Sequence, residues 1–271
     1  MYRGREIRLR PNVPPDKRQE AAEILRGYYA HMAALDDCLD RLLATLDRAG
    51  IARDTIVVFT SDHGDMMLSQ GLTTKLYPWD ESIRVPFLLR YPRRLGSSRP
   101  GSKAQRIRAP LNSPDILPTL LGLCGIRAPS SVEGADWSQV IAGGEPPGDT
   151  GALITLAVPI TEARRYGFAE YRGLRTARHT YVRSIRGPWL LYDNERDPYQ
   201  MHNLCGKPEA RDLQRGMDGA LDRELKRRHD EFLPAAEYVK RAGLGHYGEV
   251  NVKVGRHPSP WGDWDSTLQP L

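Results

Sequence analysis

The chain has 271 residues and a formal charge of +5, with 39 Lys and Arg against 34 Asp and Glu; 40% of its residues are hydrophobic and 27% charged. That length suits one large α/β domain or two unequal parts, able to fold without a disulfide or metal staple, and the composition fits a soluble globular protein and argues against disorder. It also argues against a nucleic-acid footprint: residues 1–150 carry 20 basic and 18 acidic side chains and residues 151–271 carry 19 and 16, so cations are not gathered on a stripe or tail.

Residues 1–15 read as an extended arm ending in Pro14-Pro15. They lack the apolar stretch of a signal peptide, and no run of about 18 apolar residues follows to span a membrane. A cytoplasmic setting is the expectation from these residues, with a leader on any missing N-terminus left open. A long helix should begin at Asp16, capped there with Gln19 three residues on. Its apolar positions Leu25, Tyr28, Met32, Leu35, Leu39, Leu42 or Leu43, and Leu46 recur at helical spacing, so one face is expected to be buried, with Asp36, Asp37, Asp40 and Arg41 on its rim. Gly50 supplies the left-handed stop.

Thr55-Ile-Val-Val-Phe-Thr60 is a continuous β-branched run, which predicts a central strand covered on both faces and a mainly parallel sheet. A second strand is expected over 85–91, then a polar loop to about residue 110. Ser113-Pro114-Asp115 reads as a helix start with a capping hydroxyl, Gly125 as its stop, and 143–151 as a boundary. Beyond it, short strands at 152–158, 173–177, 180–185 and 189–192 predict an antiparallel meander. A closing helix over about 208–232 should present Leu213, Met217, Leu221 and Leu225 on one face. Residues 236–271 read as an irregular tail. Cys38, Cys124 and Cys205 form no metal or disulfide pattern and are expected to be small buried thiols.

Candidate chemistry gathers after the first strand. Ligands of open α/β sheets bind beyond the C-terminal ends of strands, and Ser61-Asp62-His63-Gly64 stands there. Asp and neutral His together suit a divalent cation. From spacing alone a second reading stays open, in which Asp62 caps the next turn and His63 lies on the surface. Twelve residues on, Lys75 is one of seven lysines and could neutralise an anionic substrate, or be an exposed loop residue.

The run Asp54-Thr-Ile-Val-Val-Phe-Thr-Ser-Asp-His-Gly64, then Lys75, then Asp80-Glu-Ser-Ile-Arg-Val-Pro86, resembles the later stretch of the sulfatase family of the alkaline-phosphatase superfamily. Tyr28-Tyr29-Ala30 with Asp36, Asp115-Ile-Leu-Pro-Thr-Leu-Leu121 with Gly125-Ile126, Glu133-Gly134, and Leu191-Tyr-Asp-Asn-Glu-Arg-Asp-Pro-Tyr-Gln200 with Asn203-Leu204 follow in the same order. The resemblance covers about residues 12–205. It implies a partial alkaline-phosphatase-like α/β body over 1–150, a small antiparallel subdomain packed by a helix over 151–235, and the tail.

It also implies metal-assisted hydrolysis of sulfuric esters, of small molecules or sulfated sugars. Asp62 and His63 would hold a divalent metal, calcium by preference and magnesium or manganese as alternatives, and Lys75 would contact the sulfate. The formylglycine nucleophile of that family arises within Cys/Ser-x-Pro-x-Arg, a pattern found nowhere in the 271 residues. The family's early acid pair has no counterpart in residues 1–15 either. The chain is therefore expected to represent the later half of a sulfatase, through a split gene, a truncated reading frame or a pseudo-enzyme. The first strand should then have a poorly covered side that favours self-association or a missing N-terminal segment. A non-catalytic module, and a phosphoester or phosphonate hydrolase on the same scaffold, are the alternatives.

Overall fold

The computed structural model describes residues 2, 4–92, 105–146, 151–160, 163–164 and 166–245. Most of the polar loop, part of the 143–151 boundary and residues 246–271 of the tail lie outside these. The chain divides into two compact units, Met1–Thr73 with Arg84–Thr150, and Thr74–Ile83 with Gly151–Leu271.

In the first unit, helix α1 runs Arg18–Arg48. Asp16 falls in a short 3-10 turn, Pro15–Lys17, and Lys17 takes the N-cap position with no side-chain cap, so the expected Asp16 cap does not form. Pro14-Pro15 starts the turn early and shifts the helix start past Asp16. The C-terminal stop forms as expected. Gly50 sits at φ +71, its N–H donates to the Asp47 carbonyl at 3.0 Å, and the Ile51 N–H donates to Leu46 at 3.2 Å, a Schellman closure. The periodic apolar face is only partly covered: Ala21 is the one buried residue of α1, Leu25, Met32, Leu39, Leu43 and Leu46 are half-buried, and Tyr28, Leu35 and Leu42 are 43%, 46% and 55% exposed. Periodicity marks a face that wants cover, and the described residues supply only part of it.

Strand β1, Val57–Thr60, pairs with β2, Phe87–Arg90, in antiparallel register from Val57↔Arg90 to Thr60↔Phe87. The mainly parallel, doubly covered strand is thus corrected: among the described residues this sheet has two antiparallel strands, and no residue of β1 is buried. Its apolar run reflects half-burial on each face rather than two covering layers.

Helix α3, Ile116–Cys124, is preceded by the turn Ser113–Asp115. Here α2 denotes Asp80–Ile83, in the second unit. The cap comes from Asn112 rather than the Ser113 hydroxyl. The Asn112 carboxamide oxygen accepts from the Ser113 N–H, and the buried Asp115 carboxylate accepts from the Asn112 N–H, both at 2.9 Å. Asp115 also accepts from the Ala135 N–H at 2.8 Å, which ties the following loop to the helix start and leads to α4, Ser138–Ile141.

The second unit holds the expected meander: β3 Ala152–Leu156, β4 Tyr171–Arg175, β5 His179–Ser184 and β6 Gly187–Asp193, paired antiparallel in that order. Helix α5, Arg211–Arg227, lays Met217, Leu221 and Leu225 against Leu174, Tyr181 and Leu191 of the sheet, with Leu213 packed at the edge. The four-residue spacing of these side chains is what keeps them on one face. The tail departs from expectation at its start, where Ala235–Arg241 forms helix α6. Two turns are too short to show a period, but Pro234 can lead into seven helix-compatible residues. The thiols also differ from expectation: Cys38 and Cys124 are exposed and Cys205 half-buried. Cys38 lies on the partly covered helix α1, and Cys124 ends α3.

Candidate functional site

Strand β1 stops at Thr60, and the chain turns at once through Ser61-Asp62-His63-Gly64. One Asp62 carboxylate oxygen accepts from the His63 N–H at 2.9 Å and from the Ser61 hydroxyl at 3.2 Å. The backbone N–H of His63 in particular holds the Asp62 carboxyl below the usual carboxylate range. His63 Nδ1 meets the Gly64 carbonyl oxygen at 2.7 Å, so Nδ1 carries a proton and donates it there. The other nitrogen, Nε2, lies 3.4 Å from the second Asp62 oxygen. The Asp62 side chain is largely exposed and that of His63 partly so.

Asp62 does bond the turn backbone, and its second oxygen lies beside the imidazole. Among the described residues no group of three or more His, Cys, Asp or Glu gathers at one place.

The loop beyond the pair has a property that no residue pattern announces. Met67, Leu68, Gln70, Thr74 and Leu76 all have positive φ, between 47° and 76°. Left-handed backbone at non-glycine residues costs about 1–3 kcal/mol per position and persists only where the surroundings enforce it. In the first unit, Met66, Leu68 and Leu72 are fully buried, and the Gln70 N–H donates to the Asn12 carbonyl at 2.8 Å.

Lys75 belongs to the second unit, half-buried, between left-handed Thr74 and Leu76. The stretch after it is locked down. The Tyr171 hydroxyl donates to the Leu76 carbonyl at 3.2 Å. Tyr77 and Trp79 are buried and pack on Phe168 at ring distances of 5.1 and 6.2 Å. Arg175 grips the buried Asp80 carboxylate with two bonds of 2.9 and 3.0 Å, and the Asp80 N–H donates to Gln200 Oε1 at 2.9 Å. The structure thus brings Asp62 and His63 together and sets Lys75 on a strained, anchored loop. Tyr171, Arg175 and Gln200 did not emerge from the sequence as site-related residues. Asp80 and Gln200 do fall within the quoted stretches 80–86 and 191–200, but Asp80 and Arg175 are 95 positions apart.

Comparison with known proteins gives two family matches: a sulfatase model over residues 9–126, and a model described as N-sulphoglucosamine sulphohydrolase, C-terminal, over residues 69–227. The chain is 42% identical over 243 residues to an ulvan-active sulfatase of Formosa agariphila, covering 89% of this chain and 46% of that protein. A solved structure with its substrate D-glucosamine-2-N,6-O-disulfate superposes with a TM-score of 0.65 at 27% identity, over 80% of this chain and 43% of that one. A phosphonate monoester hydrolase of Agrobacterium radiobacter superposes with a TM-score of 0.61 at 26% identity, over 79% and 42%. The chain spans less than half the length of each of these proteins. The expected fold class holds: helices and antiparallel sheets make a partial α/β body of the alkaline-phosphatase type.

Proposed function

Because the chain belongs to the sulfatase family, we propose that it supplies the cation- and sulfate-contacting residues of a sulfuric ester hydrolase acting on sulfated sugars. Asp62 and His63 are the cation ligands and Lys75 the residue that contacts the sulfate. The observation that carries this is the 3.4 Å approach of His63 Nε2 to the Asp62 carboxylate, with Nδ1 committed to the Gly64 carbonyl. A bound divalent cation would polarise the ester oxygens and offset their charge. The chain's own part is to hold the carboxylate and imidazole side by side and to supply an ammonium, that of Lys75, to the negative charge that develops on the ester. Calcium is the favoured cation, with magnesium and manganese as alternatives.

No Cys/Ser-x-Pro-x-Arg occurs in the 271 residues, so the nucleophile of this reaction comes from polypeptide outside them. Without it, covalent catalysis is lost and no appreciable turnover is expected. The sulfated sugar follows from the named substrate of one structural neighbour and from the ulvan-active relative. Phosphonate ester hydrolysis is a second reading, favoured by the phosphonate hydrolase likeness.

Manganese titration of the isotope-labelled chain tests the ligand assignment. Paramagnetic broadening should centre on the His63 ring protons, be reversed by excess calcium, and vanish in Asp62→Ala. Broadening that ignores His63, or that persists in Asp62→Ala, would refute the cation pair.

A further inference from the structure

We propose that Tyr171 and Arg175 are positioning residues for Lys75, one strand gripping two points of the segment that directly follows it. The inference rests on the reading of Lys75 as the sulfate contact. Tyr171 and Arg175 are the first and last residues of β4, and residues two and four apart on a strand share a face. Their side chains therefore emerge on one side, about 13 Å apart along the strand. Between them they hold two points of the loop: Tyr171 the carbonyl of Leu76, and Arg175 the carboxylate of Asp80.

The two grips act on different freedoms. The Asp80 end is immobilised in direction as well as place, because a planar guanidinium meeting both carboxylate oxygens fixes orientation. Gln200 completes that end. It is 1% exposed, it accepts from the Asp80 N–H, and its amide nitrogen donates to Asn194 at 2.8 Å and Thr180 at 3.2 Å. Trp79, between the two grips, donates from its indole N–H to the Tyr192 hydroxyl at 3.3 Å.

The Leu76 end is where the backbone is left-handed, on the C-terminal side of the lysine itself. Leu has no intrinsic preference for that region, and the peptide following Leu76 is held from both sides, its N–H donating to Ser82 Oγ at 3.4 Å and its carbonyl accepting from Tyr171; losing the Tyr171 bond leaves only the longer one to fix the backbone next to Lys75. Tyr171 is 2% exposed, and burial pushes its phenol well above the usual tyrosine range, so it stays a donor at any working pH. A buried phenol with one outward hydrogen bond is a rigid prop. The lysine thus sits in strained backbone whose C-terminal side, at Leu76, is bonded by β4.

The test uses the full chain as wild type, Lys75→Ala, Tyr171→Phe and Arg175→Lys. The measurements are affinity for glucosamine 6-O-sulfate by NMR titration, the three-bond HN–Hα coupling of Leu76, which reports its φ, and the melting temperature. Tyr171→Phe should melt close to wild type, shift the Leu76 coupling, and weaken sugar-sulfate binding at least fivefold. Arg175→Lys keeps the charge without the fork and should lose affinity to a similar or smaller extent. Loss of binding in Lys75→Ala with both other variants binding as wild type overturns the positioning role and leaves the lysine's assignment standing. Weaker binding that follows lower melting, with the Leu76 coupling unchanged, also overturns it. Unaltered binding in Lys75→Ala, or none by the wild type, overturns the reading of Lys75 and the positioning role with it.

Discussion

Replacing Arg172 with methionine should be among the most damaging single changes in the second unit. Arg172 is 1% exposed, and all of its bonding is internal. Its Nε and one Nη donate to the two Asp230 oxygens at 2.5 and 3.1 Å; the remaining bonds go to the Leu156 and Tyr171 carbonyls and the Tyr238 hydroxyl. The guanidinium also lies 4.8 Å from the Phe232 ring centre. Methionine fills much of the volume but leaves Asp230 without its cation, and removing one partner of a buried pair costs about 3–5 kcal/mol. At about 2–4 °C per kcal/mol for a body of this size, melting should fall by roughly 6–20 °C.

Acid should narrow the gap. Burial works against ionising Asp230, but the bonds from Arg172 and the Phe232 N–H prevail and hold its carboxyl below the ordinary value. A depressed native carboxyl stabilises above about pH 4 and loses that contribution as the pH falls through its native value. Thermal and urea unfolding of the full chain between pH 3 and 7 measure this. Arg172→Met with Asp230→Leu should recover most of the loss, since no charge is then stranded. A single-variant cost below about 1 kcal/mol, or a gap that widens in acid, would refute the reasoning.

Gly134→Ala should destabilise by roughly 1–3 kcal/mol in urea unfolding, because a Cβ there would lie 1.9 Å from the Pro114 carbonyl oxygen; an unchanged midpoint would show that the loop yields freely. Gly216→Ala is the contrast: it lies inside α5 with nothing within 4 Å of a built Cβ, and should stabilise by about 0.5–1 kcal/mol. The Arg178 guanidinium is the main cause holding the Asp193 carboxyl down to about 2. Arg178→Ala should raise that titration in carbon-detected NMR, so that acid destabilisation sets in nearer pH 4 than pH 2. The exposed apolar residues of α1, among them Tyr28, Leu35 and Leu42, should promote concentration-dependent association in sedimentation and bind a hydrophobic dye, both reduced by Leu35→Glu with Leu42→Lys. Clean monomeric sedimentation without dye binding would contradict this.

The second unit was the more legible part of the chain, for a physical reason. Its strands follow one another through short turns, and Met217, Leu221 and Leu225 meet a sheet made by neighbouring sequence. Local pattern and tertiary partner then agree. In the first unit the same kind of pattern misled: α1 has its helical stripe and β1 its β-branched run, but a stripe records that cover is wanted and not whether it is present. Cap identity was lost to a one-residue choice between Asn112 and Ser113, both good capping residues. The Asp62–His63 pair was readable because it stands at a strand end. The left-handed run at Met67, Leu68, Gln70, Thr74 and Leu76 was not, since non-glycine residues carry no local signal for that geometry. Its supports, such as Tyr171 for Leu76, lie far along the chain.

The most direct test is hydrolysis of 4-nitrophenyl sulfate, with calcium, magnesium or manganese, by the chain mixed with a separately expressed sulfatase segment bearing the formylglycine-forming motif. The expected result is no appreciable turnover by either part alone and metal-dependent turnover by the mixture, lost in Asp62→Ala and strongly reduced in Lys75→Ala. Metal-dependent turnover by the chain alone that disappears in Asp62→Ala would contradict the need for an outside nucleophile. A mixture that cleaves an aryl phosphonate ester faster than the sulfate would contradict the substrate assignment.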